Sequence, residues 1–442
     1  MSNPLKLGLA GLGTVGVSVV KRLALLENEL AMSAGRSMRV TAVTARSRDK
    51  DRGVDLSNCT WFDDPVSLAT NDDIDVYVEL MGGDSGAAED SVRAALKAGK
   101  HVVTANKALL AKHGNELAKL AEENGVQLNY EAAVAGGIPI IKTMREGMAS
   151  NAISRVYGIM NGTCNYILTR MELEGLSFEE CLQDAQRLGY AEADPTFDVE
   201  GNDTAHKLAL LTSLAFGTQI EADSIFLEGI TSLTTDDIKA ADELGFRIKL
   251  LGVAQKTDTG IEQRVHPTMV PKSSAIAQIS GVTNAVAVDG DAVGSITMSG
   301  PGAGGDATAS AVVADLVDVA RDFKIYPLGR PAAELQPYVR AKMRAHEGGY
   351  YIRLSVNDRP GAFASIAQRM AEHDISLESI VQRRSNGYFT NAQSEASEVV
   401  KPQAVVLITY ETTEEAVRKA LQQIEEDGHI SAPPQMIRIE RL

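Results

Sequence analysis

The stretch Gly189-Tyr190-Ala191-Glu192-Ala193-Asp194-Pro195-Thr196-Phe197-Asp198-Val199-Glu200-Gly201-Asn202-Asp203-Thr204-Ala205-His206-Lys207 holds the densest set of side chains able to do chemistry. Asp203 and Lys207 stand four apart in a helical pattern, so they share a face and set a carboxylate beside an amine. Such a pair can orient a polar substrate and hold or pass a proton. Glu192 and Asp198 fall in an irregular loop just before that helix, where a run of carboxylates suits a polar ligand. A solvated helix start with ordinary ion pairs would explain Asp203 and Lys207, but not the carboxylates that precede them.

A second constellation lies at the start of the chain. Gly11-Leu12-Gly13-Thr14-Val15-Gly16 follows the strand-like LKLGLA and opens an apolar-periodic helix. Gly11, Gly13 and Gly16 let the backbone turn tightly, approach a pyrophosphate and pack helix on strand, while the helix N-terminus offers free amides to the anion. The motif predicts a dinucleotide site that includes Thr14 and Val15. At the end of the second strand, an acidic residue would normally hold the ribose of NAD, but the sequence reads Thr44-Ala45-Arg46. A guanidinium there suits the 2'-phosphate of NADP. NADP is therefore expected and NAD remains possible, the plainer reading being a solvated loop whose positive run is interrupted by Asp49 and Asp51.

Two further motifs are ambiguous on residues alone. Lys107, in Val103-Thr104-Ala105-Asn106-Lys107, follows a strand end, where open α/β sheets place their ligands. It can reach a cofactor or substrate, or simply cap a sheet edge. The bend Glu131-Ala132-Ala133-Val134-Ala135-Gly136-Gly137-Ile138-Pro139 offers turned carbonyls that could hold a hard cation, although a hinge needs the same glycines.

These groups need a scaffold, and the hydrophobic pattern supplies one. Strand-like runs at 5–10, 39–44, 75–80, 101–104 and 127–130 alternate with helical stretches such as SVRAALKAG and GNELAKLAEENG, which implies a parallel, doubly wound sheet of Rossmann type. Beyond about residue 140, helices such as DTAHKLALLTSLAFG give way to the strands RIKLLGVAQK, IEQRVHPTMV and NAVAVDGD, a mixed α+β domain. Gly300-Pro301-Gly302-Ala303-Gly304-Gly305 then opens a helix at 306–322 that is expected to return to the nucleotide domain. The proline-rich YPLGRPAAELQPYVRAK reads as a linker. From Tyr350 onward the order is βαββαβ, a ferredoxin-like unit. The expected division is 1–140, 141–325, a linker at 326–347, and 348–442.

At 442 residues the chain needs more than one core, and 44% apolar with 23% charged residues is ordinary for a globular protein. A net charge of -16 argues against a nucleic-acid binder. The N-terminus lacks a basic start and an apolar core, and no apolar run approaches a membrane span, so a cytoplasmic location without membrane attachment is expected. Cys59, Cys164 and Cys181 fit neither a disulfide framework nor paired zinc ligands.

Taken together these motifs resemble homoserine dehydrogenase over almost the whole chain. The specific ones are TANK, EAAVAGGIPII, NGTCNYIL, GYAEADPTFDVEGNDTAHKLALL and NAVAVDGDAVGSITMSGPGAGGDATASAVV, followed by a C-terminal ACT domain. The resemblance implies NAD(P)-dependent interconversion of aspartate 4-semialdehyde and homoserine. It casts Lys107, Asp203 and Lys207 as the polar catalytic set, and Glu192 and Asp198, with Asp203, as substrate binders. Gly189, Gly302 and Gly304 join the glycine turn, Arg46 and Lys107 as cofactor contacts, and Glu131, Val134, Gly136 and Ile138 become a structural sodium site. The turn Asn357-Asp358-Arg359-Pro360-Gly361 resembles an ACT effector loop, with Asn357, Asp358, Pro360 and Gly361 as binders and threonine as the expected effector. A homodimer or homotetramer of the monofunctional type is expected. PKSSAIAQISG lacks the His-Pro pair that many relatives carry, so no role of that pair transfers. Two rivals stand beside this reading: another semialdehyde or amino-acid dehydrogenase on the same fold, and a non-catalytic sensor of redox state and an amino acid.

Overall fold

Leu7, Leu9, Val76, Val78, Val102 and Val103 are all fully buried, as a sheet covered by helices on both faces requires. The computed structural model describes residues 3–341, 347–357, 359–383 and 402–440. In its first part, β1 (Leu5–Ala10), β2 (Met38–Thr44), β3 (Thr60–Trp61), β4 (Val76–Glu79), β5 (His101–Thr104) and β6 (Leu128–Asn129) form one sheet. Its order is β3-β2-β1-β4-β5-β6 and every neighbouring pair is parallel. The helices between them are α1 (Thr14–Leu25), α2 (Glu27–Ala34), α3 (Pro65–Ala69), α4 (Ala87–Lys97) and α5 (Lys107–Glu123). Strand order reverses between β1 and β4, which opens a crevice at their carboxyl ends.

After a short helix α6 (Ile140–Lys142) the chain builds a second sheet. Its strands are β7 (Ile153–Ile159), β8 (Phe226–Leu227), β9 (Phe246–Thr257), β10 (Gly260–Pro271), β11 (Thr283–Gly290) and β12 (Gly294–Pro301). Helices α7 (Gly162–Glu174), α8 (Phe178–Arg187), α9 (Thr196–Val199), α10 (Asn202–Phe216) and α11 (Thr235–Glu243) interrupt them. Helix α12 (Gly305–Ala320) then packs along α1, where Ala309, Val312, Val313 and Leu316 share one core with Leu5, Leu7 and Val19.

The C-terminal unit comprises β13 (Glu347–Asn357), α13 (Ala362–Glu372), β14 (Leu377–Arg383), β15 (Pro402–Thr409), β16 (Thr412–Thr413), α14 (Glu414–Glu426) and β17 (Gln435–Ile439). The strand order β17-β13-β15-β14 is that of a ferredoxin-like unit. It is not a bead on a string. β17 pairs in parallel with β10, Thr268 opposite Arg438 and Met269 opposite Ile439, so the second sheet and the C-terminal sheet are one sheet of eleven strands.

The 326–341 stretch, read from its prolines as linker, is also docked. Gln336 bridges to Thr218, Arg340 bridges to Ile261, and Tyr338 donates its hydroxyl to the Ile261 carbonyl at 2.9 Å. Proline and absent periodicity argue against a long helix or regular strand, but they allow a short 3-10 turn at Ala332–Glu334 and an irregular segment whose backbone groups find partners on a neighbour.

Charge seals the junction between the two parts of this sheet. Fully buried Arg438 donates to both carboxylate oxygens of Glu414, at 2.9 and 2.6 Å, and to Glu228 at 2.6 Å. Arg264 of β10 and Arg418 also pair with Glu414. Burial alone would raise the Glu414 carboxyl, but these guanidinium groups hold it well below the usual range. On the neighbouring face Asp237 of α11 accepts from Tyr351 Oη at 2.9 Å and from Arg353 at 2.6 and 3.1 Å. Among the described residues no helix is long and apolar enough to cross a membrane.

Candidate active site

The dinucleotide site takes shape at the crevice. At Gly16 an added Cβ would stand 2.1 Å from the Gly11 carbonyl oxygen, so only glycine lets α1 start this close to the turn. No side chain caps the N-terminus of α1, which leaves its first amides free to bind an anion. Gly11, Gly13, Thr44 and Arg46 line a cavity of about 820 Å³ together with Arg48, Lys50 and Arg52. Arg52, which belongs to no sequence motif, organises this wall. Its guanidinium donates to the carbonyls of Leu12 at 3.2 Å and Lys50 at 2.8 Å and to that of Ser47, tying the loop after β2 to the glycine turn. Arg48 and Arg52 both lie over the ring of Trp61, at 5.6 and 5.7 Å. A lone arginine among mixed charges gives no signal in the sequence; its role emerges from the turned backbone it meets. Gly189, Gly302 and Gly304 lie outside this lining: Gly189 ends α8 with φ +78°, and Gly302 and Gly304 precede α12, whose first residue, Gly305, abuts Thr14 and Ser18 of α1.

Lys107 is the first residue of α5, directly beyond β5. A cation at a helix N-terminus is opposed by the dipole, so something must offset it. That something is Asp203, whose Oδ1 lies 3.1 Å from Lys107 Nζ. The loop that carries Lys107 is fixed from below by buried Glu79, which accepts from Thr104 Oγ1 at 2.7 Å and from the amides of Met81 and Gly82 at 2.8 and 3.0 Å. Asn106 caps α5 through the Leu109 amide at 3.1 Å.

Asp203 and Lys207 share the face of α10 that their spacing predicts. Lys207 Nζ is 2.7 Å from Asp203 Oδ2 and 2.6 Å from the Met160 carbonyl. Asp203 is thus held between a lysine of the nucleotide-binding half and one of the substrate half. Burial alone would raise its carboxyl, but Lys207 and Lys107, aided by Asn161, outweigh that and hold it well below the usual carboxylate range. Asn161 also donates to Asp198 at 2.7 Å, so Asp198 joins the cluster. Burial and the neighbouring Asp203 charge push the Asp198 carboxyl up. Glu192 is exposed, and among the described residues no hydrogen bond or ion pair links its carboxylate to the cluster. The structure therefore joins Lys107, Asp198, Asp203 and Lys207, but not Glu192.

The bend from Glu131 to Ile138 lies against the second glycine loop. Gly137 donates its amide to the Pro301 carbonyl at 3.0 Å, and a Cβ at Gly136 would stand 2.4 Å from the Gly302 oxygen. Ala135 and Gly136 are consecutive left-handed residues, with φ +56° and +54°. Among the described residues the buried carbonyls of Val134 and Gly136 accept no backbone hydrogen bond, so oxygen ligands are present for a hard cation. The Glu131 carboxylate does not face them; it accepts from the amides of Ile141 and Lys142 at 2.8 and 2.9 Å.

In the C-terminal unit, Asn357 closes β13 with its amide donating to His429 O at 2.8 Å, and Gly361, φ +91°, opens α13 next to Pro360. Asp358 lies outside the described residues.

The family profile described as homoserine dehydrogenase matches residues 139–317, that of the homoserine dehydrogenase NAD binding domain matches 11–131, and the ACT domain profile matches 350–428. The chain is 45% identical to the homoserine dehydrogenase of Pseudomonas aeruginosa over 447 residues, covering 99% of each. The chain belongs to the homoserine dehydrogenase family. The homoserine dehydrogenase of Neisseria gonorrhoeae is 43% identical, again over 99% of each chain. Among solved structures, homoserine dehydrogenase from Thiobacillus denitrificans superposes with a TM-score of 0.91 at 42% identity, with 99% of each chain covered. A hyperthermophilic archaeal homoserine dehydrogenase in complex with NADPH is similar over 73% of this chain and the whole of its own, with a TM-score of 0.63 at 25% identity. The protein is an NAD(P)-dependent oxidoreductase with a ferredoxin-like ACT domain attached, and of the two rivals the non-catalytic sensor falls away.

Proposed function

We propose that the Lys107–Asp203–Lys207 cluster is where L-aspartate 4-semialdehyde and L-homoserine are interconverted. The observation that carries this reading is one buried carboxylate shared by two lysines at the meeting of the two halves. The nicotinamide, when bound, gives or takes the hydride. As the aldehyde is reduced, negative charge grows on its oxygen, and a donor must face it. Lys207 supplies the proton. Its ammonium has three N–H groups, of which Asp203 and Met160 take two, leaving the third for the substrate oxygen. Lys107, whose side chain is 33% exposed, stabilises the same oxygen electrostatically. Asp203 orients both amines, and Asp198 and Glu192 accept from the substrate ammonium. Glu192 does so from the exposed loop before α9, its backbone carbonyl held by Gln186 at 3.0 Å and its carboxylate left to solvent.

For the cofactor, NADP is the preferred partner, with Arg46 on the 2'-phosphate and Gly302 and Gly304 completing the backbone cradle. Gly189 marks the turn that carries Tyr190 towards the site, where the Tyr190 carbonyl accepts from Thr163 at 2.6 Å. A sodium ion at the carbonyls of Glu131, Val134, Gly136 and Ile138 would brace the bend against the Gly302 loop. In the cytoplasm the reaction would serve the synthesis of threonine, methionine and isoleucine, with threonine as the feedback effector, bound at the Asn357–Gly361 turn where two ACT domains of a homodimer or homotetramer meet. The shared sheet gives such a signal a route, because β17 of the ACT domain lies beside β10 of the catalytic part.

Four outcomes check this reading. Lys207→Met should lower turnover with homoserine by at least about a hundredfold while NADPH affinity stays within about threefold, and Glu192→Ala should act chiefly on the homoserine KM. Near-normal turnover in folded Lys207→Met would move the proton to Lys107 or a water. Arg46→Ala should raise the KM for NADPH about tenfold or more and leave that for NADH nearly unchanged, because only NADP offers the guanidinium a phosphate; equal effects on both would remove Arg46 from the phosphate. For regulation, Asn357→Ala should raise the threonine concentration for half-inhibition roughly tenfold, a loss of about 1.4 kcal/mol of differential binding. Unaltered inhibition would place the effector elsewhere.

A further inference from the structure

Asn161 is the group in the cluster to which neither its motif nor the comparisons give a role. It ends the segment after β7 and is itself the N-cap of α7. Its side-chain oxygen accepts from the Cys164 amide at 2.8 Å. Its nitrogen donates one hydrogen to Asp198 Oδ1 at 2.7 Å and the other to Asp203 Oδ2 at 2.9 Å. The partners fix the orientation of the amide: reversing it would put an oxygen against two carboxylates and an N–H against an N–H. Asn161 is 5% exposed, so water does not replace these contacts. Every hydrogen-bonding atom of the side chain is committed.

Two carboxylates this close in a dry site repel, and one would protonate unless something separates them. Asp203 meets a lysine on each oxygen, Lys207 on Oδ2, which it shares with Asn161, and Lys107 on Oδ1. The amide is what stands between Asp203 and Asp198. We propose that Asn161 is a positioning residue for the reaction, setting Asp198 and Asp203 side by side as carboxylates and aiming Asp203 between the two lysines. The proposal rests on the reading of Lys107, Asp203 and Lys207 as the reacting cluster. The charged and titratable groups around the pair are Lys107 of α5, Cys164 of α7, and Lys207 and His206 of α10, while Glu200 after α9 acts on Cys164 and accepts from Thr231 at 2.9 Å. Burial, foremost, and the nearby Lys107 charge push the His206 imidazole down.

The alternative is that Asn161 merely caps α7. Asn161→Ser and Asn161→Asp separate the two roles, because serine and aspartate cap helices about as well as asparagine. Neither can donate to both carboxylates, and aspartate adds a third negative charge. Both are compared with Lys207→Met in the full chain, reading kcat and KM for homoserine against pH, with thermal unfolding as the check on the fold. The expected result is an unfolding midpoint near that of the parent for Asn161→Ser, with kcat/KM lowered roughly tenfold or more. For Asn161→Asp the acid limb of the kcat/KM profile should also move up by at least about one pH unit, because a carboxylate beside Asp203 and Asp198 favours their protonated forms. If Asn161→Asp fails to fold, the serine variant decides alone. Serine and aspartate variants within about twofold of the parent, with an unmoved acid limb and an inactive Lys207→Met, would overturn the role of Asn161 and leave the cluster standing. An active Lys207→Met would instead take the proton transfer from Lys207, and the positioning role, which rests on that assignment, would fall with it.

Discussion

A carboxylate taken out of water costs several kcal/mol unless cations and hydrogen-bond donors meet it, and Asp203 is 5% exposed. Its burial is tolerable only if two lysines and an amide arrive together. Each arrives from a different element: Lys107 from the first turn of α5, Lys207 from one turn further along α10, Asn161 from the cap of α7. The relative placement of the two sheets is therefore constrained by one acidic side chain. α12 acts in the same direction, since it follows the second glycine loop and buries its apolar face against α1. The crevice beyond β1 and β4 and the amine–carboxylate cluster at the start of α5 thus lie beyond the same carboxyl edge of the parallel sheet.

Much of this was legible in the sequence because it is periodic or local. The parallel sheet follows from short apolar runs between helices, the glycine turn from its position after LKLGLA, and the Asp203–Lys207 pair from its spacing on one helix. The partnership of Lys107 with Asp203, 96 positions apart, was not legible, and the residues left Lys107 balanced between a ligand and a sheet-edge lysine. Nor were the roles of Arg52, Glu79 and Asn161 visible. Each reaches a distant partner, Arg52 the Leu12 carbonyl, Glu79 the Thr104 hydroxyl and Asn161 two carboxylates, and such partners carry no signature in the sequence around them. The homoserine dehydrogenase resemblance, carried by five long motifs, named the activity where spacing alone reached only a polar substrate and a dinucleotide.

The C-terminal unit shows the same limit. Its βαββαβ order can be read from alternation and turns, but its fusion to the catalytic sheet cannot. The register of β10 with β17 is set by just two pairs, Thr268 with Arg438 and Met269 with Ile439, and by the charges around Glu414. A buried ion cluster adds little net stability compared with an apolar one, but breaking it is costly, which favours one docking geometry over others. β13 contacts α11 through Arg353 on Asp237, and α14 carries Arg418 of the Glu414 cluster, so a displacement of either element would strain these ion pairs.

The central claim is that Asp203 and Lys207 act as one unit. A double-mutant cycle between Asp203→Asn and Lys207→Met in kcat/KM for homoserine tests it most directly. If the carboxylate works chiefly by holding the Lys207 amine, its hold on Lys107 being the smaller part, the double variant should fall no more than about threefold below Lys207→Met alone. Losses that multiply, so that the double variant is slower than Lys207→Met by the whole factor of the Asp203→Asn change, would contradict the account.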